Sequence, residues 1–556
     1  MPDARERRAG RGRSAAPDAA QPPRAAGRAP SAALWVACLA LLANLPTLFV
    51  PFVMDDHPIV ERDPRIVEGR LLEPWTTSYW NDPTESGEYR PLVLTSYALE
   101  RKLLGDRAWH FHLINLLLHA AVAIAVLAAG RAIGLGERAA VVAAGLFALH
   151  PVHLDAIAPV VGRAELLAAL GYTIPVALWL RIRRETAVAP GRLLALAACV
   201  ALGIFSKENA LAVVPLLLLV EILLLRGGGA RRTLVASGVA VGAVVAVYLV
   251  ARVAVLGALL PAEGSGTIVA LENPLAEEPL RVRWLTAASI LGTYLRLFAW
   301  PFGLSPDYAY DSLPVVRAAL DPAVWLPVLA VGAVGLLALL RLRRRPAIAL
   351  GVVAFLAPYA IVSNSVFLIG TMLAERLLYQ PSVGLCWLTG MAVAAAADRA
   401  PRGALRAPER LALALALPAA LLGAASFARA NDWRDEAELY RTAAQAYPRN
   451  FLLQRNLGSL AMEAGRFPEA LYYMTRVTEL VPDYAKGWSD RGFLHLATGD
   501  PDAAVAALER SIELDPRQPT ALRNLAEAYR SVGRFKDSAR IDARLRELRE
   551  SLGAAP

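Results

Sequence analysis

Charge is scarce in this chain, and so are cysteine and lysine. Only 19% of its 556 residues are charged and 56% are hydrophobic, against about 25% and about 45–50% in ordinary soluble proteins. A wholly soluble enzyme is excluded, and so is a disordered or fibrous polymer. The three cysteines, Cys38, Cys199 and Cys386, each lie in an apolar run with no His or Cys at ligand spacing, which excludes a disulfide framework and a cysteine zinc site. Among 58 basic residues only Lys102, Lys207, Lys486 and Lys536 are lysines, a bias typical of GC-rich bacterial genomes. The net charge of +9 would suit nucleic acid, but the arginines cluster beside apolar segments and no basic patch is interleaved with aromatics. Cytoplasmic membrane loops have that pattern, so a bilayer and not a nucleic acid is the expected partner.

What the chain has instead is apolar length. Ser31 to Val53 exceeds a signal-peptide core and lacks an evident cleavage site, which predicts an uncleaved first helix behind a disordered Arg/Ala/Pro-rich leader, residues 1–30. Further runs follow at His110 to Gly130, Arg138 to Ile157, Leu166 to Leu180, Leu193 to Phe205, Ala210 to Leu225 and Val235 to Leu256. Four more, at Val324 to Leu340, Ile348 to Val362, Leu377 to Ala397 and Leu411 to Phe427, bring the expectation to about eleven crossings. With the leader inside, every basic cluster from Arg131 to the stretch Arg399 to Arg410 also falls inside. That arrangement requires Trp284 to Trp300 to be an interfacial or re-entrant helix within one external loop, Pro261 to Pro322.

The unusual polar residues then converge on the outer face. They are Met54-Asp55-Asp56-His57, Glu88-Tyr89-Arg90-Pro91, His150-Pro151-Val152-His153-Leu154-Asp155, Gly162-Arg163-Ala164-Glu165, Ser206-Lys207-Glu208-Asn209, Ser305-Pro306-Asp307-Tyr308 and the stretch Ser363-Asn364 to Glu375-Arg376. Ionisable groups at membrane helix ends mark functional sites by default. Adjacent carboxylates resist ionising together, so Asp55 or Asp56 could carry a raised pKa and act as a base. Arg90, Arg163, Lys207 and Arg376 could hold a phosphate, although each has a carboxylate one or two residues away. His150 and His153 with Asp155 could bind a divalent cation, or else bond to a ligand hydroxyl; no cofactor is required by the pattern.

The last 125 or so residues read as soluble helix with a strict period. Gly458, Gly492 and Ala526 are 34 apart, as are Gly465, Gly499 and Gly533, and Pro448, Pro482 and Pro516. A small residue, a turn glycine and a terminating proline at that interval are the signature of tetratricopeptide repeats, which offer a groove for peptide. The chain therefore divides into a leader 1–30, a membrane unit 31–430 and a repeat unit 431–556.

These motifs in this order, continued by Phe111-His112-Leu113-Ile114-Asn115-Leu116-Leu117-Leu118-His119 and Ala374-Glu375-Arg376-Leu377-Leu378-Tyr379, resemble the transmembrane and tetratricopeptide-repeat O-mannosyltransferases, from Val53 to Glu550. The resemblance implies an all-α protein, a polytopic GT-C glycosyltransferase bundle followed by an α-solenoid. It implies a polyprenyl-phosphate-linked sugar, mannose first, as donor and a protein or peptide hydroxyl as acceptor, recruited by the repeats. The extracytoplasmic side of a bacterial inner membrane is the expected place, with the repeats there too. An acidic residue of the first external loop is then the base, Asp55 or Asp56. Arg90, Arg163, Lys207 and Arg376 would meet the donor phosphate, and His57, His150, His153, Asp155, Glu165 and Glu208 the sugar or acceptor. A non-catalytic scaffold or lipid-linked-sugar transporter is the alternative, though the two halves show none of the duplication a transporter would carry.

Overall fold

The computed structural model describes residues 31–80, 87–226, 228–259, 270–399 and 407–551. The expected leader 1–30 and the start of the long external loop lie outside the described residues. Every regular element among the described residues is helical.

Long apolar runs give the helices Ala108–Ala132, Arg163–Arg183, which continues through an internal Pro175, and Arg231–Leu256, and proline at the first position opens Pro190–Ile204, Pro322–Leu340 and Pro346–Val362. The Arg231–Leu256 and Pro322–Leu340 helices leave Val239, Val250, Leu329 and Leu340 exposed, as lipid-facing helices do and soluble ones do not. Six helices are long and apolar enough to cross a membrane, or seven if the bent pair around Pro151 is one span. The protein is a multi-pass membrane protein.

The expected eleven spans meet this count only in part. Ala32–Ala43, Pro190–Ile204 and Pro346–Val362 are shorter apolar helices, about 18 to 26 Å long at 1.5 Å per residue. Leu377 to Ala397 begins as the 3-10 turn Glu375–Leu378 before the helix Ser382–Arg399. The run Arg138 to Ile157 is broken by 53° after Leu149, because Pro151 donates no amide and holds His150 extended at ψ 121. Trp284 to Trp300 forms the helix Leu280–Ala299, which is not among those apolar enough to cross.

Close approach inside the bundle depends on glycine. A Cβ on Gly171 of Arg163–Arg183 would stand 2.3 Å from the Cα of Gly203 in Pro190–Ile204.

The repeats follow at once. Helix Ala407–Asp432 is separated from Glu436–Ala446 only by Trp433, Arg434 and the N-capping Asp435. Trp433 is buried with Val50, Val53, Leu154 and Ala158, so the joint is seated on the first loop. Helix pairs Phe451–Glu463 with Phe467–Leu480, Ala485–Ala497 with Pro501–Leu514, and Pro519–Ser531 with Phe535–Ser551 complete the stack. The periodic glycines do two jobs. Gly465, Gly499 and Gly533 turn between paired helices at φ +69, +85 and +77, where a side chain would be strained. Gly492 lets its helix touch the next, since a Cβ there would be 2.4 Å from Leu508 Cγ.

Candidate active site

Two neighbouring carboxylates end up in opposite situations. Asp56 is fully buried. Its Oδ2 accepts from the amides of Val53 at 3.2 Å and Val160 at 3.0 Å, and its Oδ1 from Val161 at 2.9 Å. It ties the first loop to the turn before Arg163–Arg183. Burial pushes its carboxyl up to about 7, while those three amides pull it down.

The Asp55 carboxylate has no hydrogen-bond or ion-pair partner among the described residues. Burial raises it above the usual carboxylate range, Arg376 pulls it back and Asp307 raises it further. Its electrostatic neighbours come from separate parts of the chain: Tyr79 and Arg90, Asp307, Arg376, and Tyr440 of the first repeat helix. Arg376 in turn is held above its usual value: burial alone would lower it, but Asp155 and Asp55 prevail.

The cations differ in how far they are already engaged. Arg376 is 31% exposed and only 3.6 Å from Asp155 at its closest, although its backbone amide donates to Asp155 Oδ2 at 2.9 Å. Arg90 donates to Glu88 at 2.7 Å and Glu208 at 3.1 Å, with its guanidinium 5.0 Å from the centre of the Tyr79 ring. Lys207 pairs with Glu165, and Asn209 donates to the other oxygen of Glu165 at 3.2 Å. Arg163 is turned inward, 2.7 Å from Glu100, donating to Asn115 at 3.0 Å and to the carbonyl of Phe111.

The histidines divide similarly. His57 lies 2.7 Å from Glu61 and, through its other nitrogen, 4.0 Å from Glu436 of the repeats. His150 donates to Phe298 O at 2.8 Å and stacks on the Phe298 ring. His153 donates to Phe147 O at 2.8 Å, with Ser382 Oγ 2.9 Å from its second nitrogen. With Asp155 turned to Arg376, the cation trio His150, His153 and Asp155 is pulled apart. Among the described residues no three His, Cys, Asp or Glu side chains gather to hold a metal ion.

Residue-type reasoning overlooked several groups. Tyr308 Oη and the Ser305 amide both donate to Glu375 Oε1, at 2.7 and 2.6 Å. Burial pushes Glu375 up to about 7. Asp307, Tyr308 and Glu375 lay inside motifs already singled out; Tyr79 and Tyr440 carried no sequence signal at all.

This arrangement can abstract a proton at Asp55 and neutralise an anion beside it at Arg376 and Arg90. A family model described as Protein O-mannosyl-transferase TMTC, DUF1736 matches residues 265–335, and a tetratricopeptide-repeat model matches 421–485 and 490–551. Protein O-mannosyl-transferase TMTC3 of Mus musculus is 26% identical over 478 residues, covering 79% of this chain and 50% of its own. Protein O-mannosyl-transferase TMTC4 of Homo sapiens is 27% identical over 486 residues, covering 76% and 62%. The chain thus spans about half the length of the first of these relatives. A solved structure of the archaeal oligosaccharyltransferase AglB from Archaeoglobus fulgidus, with an inhibitory peptide and a dolichol-phosphate, aligns over 80% of this chain and 59% of its own at 14% identity and a TM-score of 0.42. That likeness is too loose to carry an argument. Through the 265–335 segment, the repeats and sequence similarity over three quarters of its length, the chain is similar to the transmembrane and tetratricopeptide-repeat protein O-mannosyl-transferases.

Proposed function

We propose that this protein transfers a sugar, mannose first, from a polyprenyl-phosphate donor to a hydroxyl of a protein acceptor on the extracytoplasmic side of a bacterial inner membrane. The membrane unit 31–430 carries the chemistry, and the repeat unit 431–556, on the same side, receives the acceptor. The observation that carries the reading is the contrast between Asp56, closed off by three amides, and Asp55, unpartnered beside Arg376 and Arg90. Asp55 takes the proton of the acceptor hydroxyl as its oxygen bonds to the anomeric carbon. The bond from that carbon to the phosphate oxygen breaks, and the lipid phosphate leaves with the electron pair. Arg376, loosely paired and partly exposed, and Arg90 neutralise the phosphate. Arg163 and Lys207 brace Glu100 and Glu165 instead, and His57, Glu165, Glu208, Asp155, His150 and His153 shape the surround without touching the reacting atoms.

The test uses purified protein with radiolabelled polyprenyl-phosphate mannose and a hydroxyl-bearing peptide. Loss of label from the lipid, abolished by Asp55→Asn, is expected. Label that stays on the lipid with the unaltered protein would mark it as a scaffold, and full transfer by Asp55→Asn would remove the base.

A further inference from the structure

Asp55 follows a residue in unusual backbone. Met54 has φ +52, a left-handed conformation that costs a residue with a Cβ roughly 1–2 kcal/mol. Such strain persists where the surroundings over-determine it. Here the surroundings include the repeats: Met54 packs against the repeat cluster of Tyr440, Ala443, Leu453 and Leu457 and against the cluster in which Trp433 and Leu439 meet Val50, Val53, Leu154 and Ala158.

A second tie reaches the same place from a different segment. Asn450 is fully buried and caps helix Phe451–Glu463 with its Oδ1, which accepts from the Leu453 amide at 2.8 Å. Its Nδ2 donates to the Asp307 carboxylate at 3.0 Å and to Ser312 Oγ at 2.7 Å. Backbone bonds flank it, Asp311 donating to Arg449 O and Phe451 to Tyr310 O. Asp307 Oδ1 also accepts from the Ala309 amide at 2.7 Å, so its position beside Asp55 is set jointly by its own turn and by the repeat unit.

We infer that the first repeat helices set the aim of Asp55, through the anchored Met54 and the Asn450–Asp307 bond, and so are positioning elements of the catalytic site as well as a binding surface. This rests on the glycosyl-transfer reading above. Removing the tie lowers the rate constant and leaves donor binding nearly unchanged, even when the acceptor is water or a small alcohol with no peptide to recruit.

The test uses the full chain in detergent or liposomes, with polyprenyl-phosphate mannose and a small alcohol. Met54→Gly keeps the left-handed turn and removes the anchor; kcat falls by about 100-fold, as a displacement of about 1 Å does, with KM for the donor little changed. Met54→Leu, which refills the pocket, recovers most of that loss. Asn450→Asp keeps the helix cap, Asp being as good a cap as Asn, but puts an acceptor against Asp307, and kcat falls about tenfold or more. Asp307→Asn removes a charge that raises Asp55, so the acid limb of the rate profile moves to lower pH, a shift that loss of folding would not produce. Met54→Gly and Asn450→Asp both within about threefold of wild type, less than 1 kcal/mol of barrier, would overturn the inference. Should one of them fail to fold, the other decides, and a kcat within about threefold of wild type in it overturns the inference. Asp55→Asn in the same assay separates the two claims: if it is inactive while the other variants are normal, the positioning idea alone fails, and if it is active the glycosyl-transfer reading fails first.

Discussion

The membrane unit and the repeat unit differ in where they bury charge. The membrane unit holds fully buried ion pairs, Arg163 with Glu100 at 2% and 3% exposure and Arg65 with Asp63 at 1% each, alongside exposed ones such as Arg138 with Asp398. In the repeats they are surface pairs, most of them three residues apart on one helix, such as Arg476 with Glu479 and Arg510 with Glu513, both partners about half exposed. Desolvation makes a buried pair expensive to break and an exposed one nearly irrelevant. Buried charge therefore ties elements of the membrane unit together, whereas the repeat helices are fitted through shape, by small residues between them. Arg90, Arg376 and Asp55 belong to a surface built on the first principle, and the groove that would receive a peptide is built on the second.

The sharpest way to break this contrast is Glu100→Gln, which leaves Arg163 buried beside His110 with a neutral partner. Breaking such a pair costs about 3–5 kcal/mol, to be read as a fall in the detergent melting temperature; a change no larger than that of a surface pair would dissolve the distinction. Next comes Gly492→Ala in the repeats. Its methyl meets Leu508 Cγ at 2.4 Å, so an overpacking loss of about 1–3 kcal/mol is expected, with donor use by a small alcohol retained as long as the Met54 pocket stays formed. Arg376→Gln then probes the site itself. Because Arg376 lowers Asp55, its removal moves the acid limb of the rate profile to higher pH, the reverse of Asp307→Asn, together with weaker donor affinity. The smallest effect belongs to Arg510→Ala, within about 0.5 kcal/mol of wild type, and a larger loss would show the repeats to depend on charge after all.

Different parts of this picture were legible to different degrees in the sequence. The repeats could be read residue by residue, because a 34-residue period repeats the same packing demand and each turn glycine reports a positive φ. The gathering of polar motifs on one face could also be read, since alternate crossings place alternate loops together. Which aspartate is closed off could not: two of the three amides that occupy Asp56 belong to Val160 and Val161, more than 100 residues away. Arg163 looked like Arg90 for the same reason, its partner Glu100 lying on the much earlier helix Pro91–Leu104 and not beside it in sequence. Helix length was less legible, because hydropathy sees composition and not that one apolar run bends by 53° after Leu149 or that Ala32–Ala43, Pro190–Ile204 and Pro346–Val362 are shorter helices. Met54 offered no signal, since nothing in a methionine announces a left-handed backbone.

The joint between helix Ala407–Asp432 and the repeats has only three residues, and its tryptophan is fully buried. Mechanically it is a weld. A bilayer that is too thin or too thick for its helices makes them tilt, and a weld passes that tilt undamped to whatever it joins. The repeat stack would then lean like a lever arm with the thickness of the membrane, and the pressure of its packing on the first loop becomes a quantity that lipid chain length can adjust.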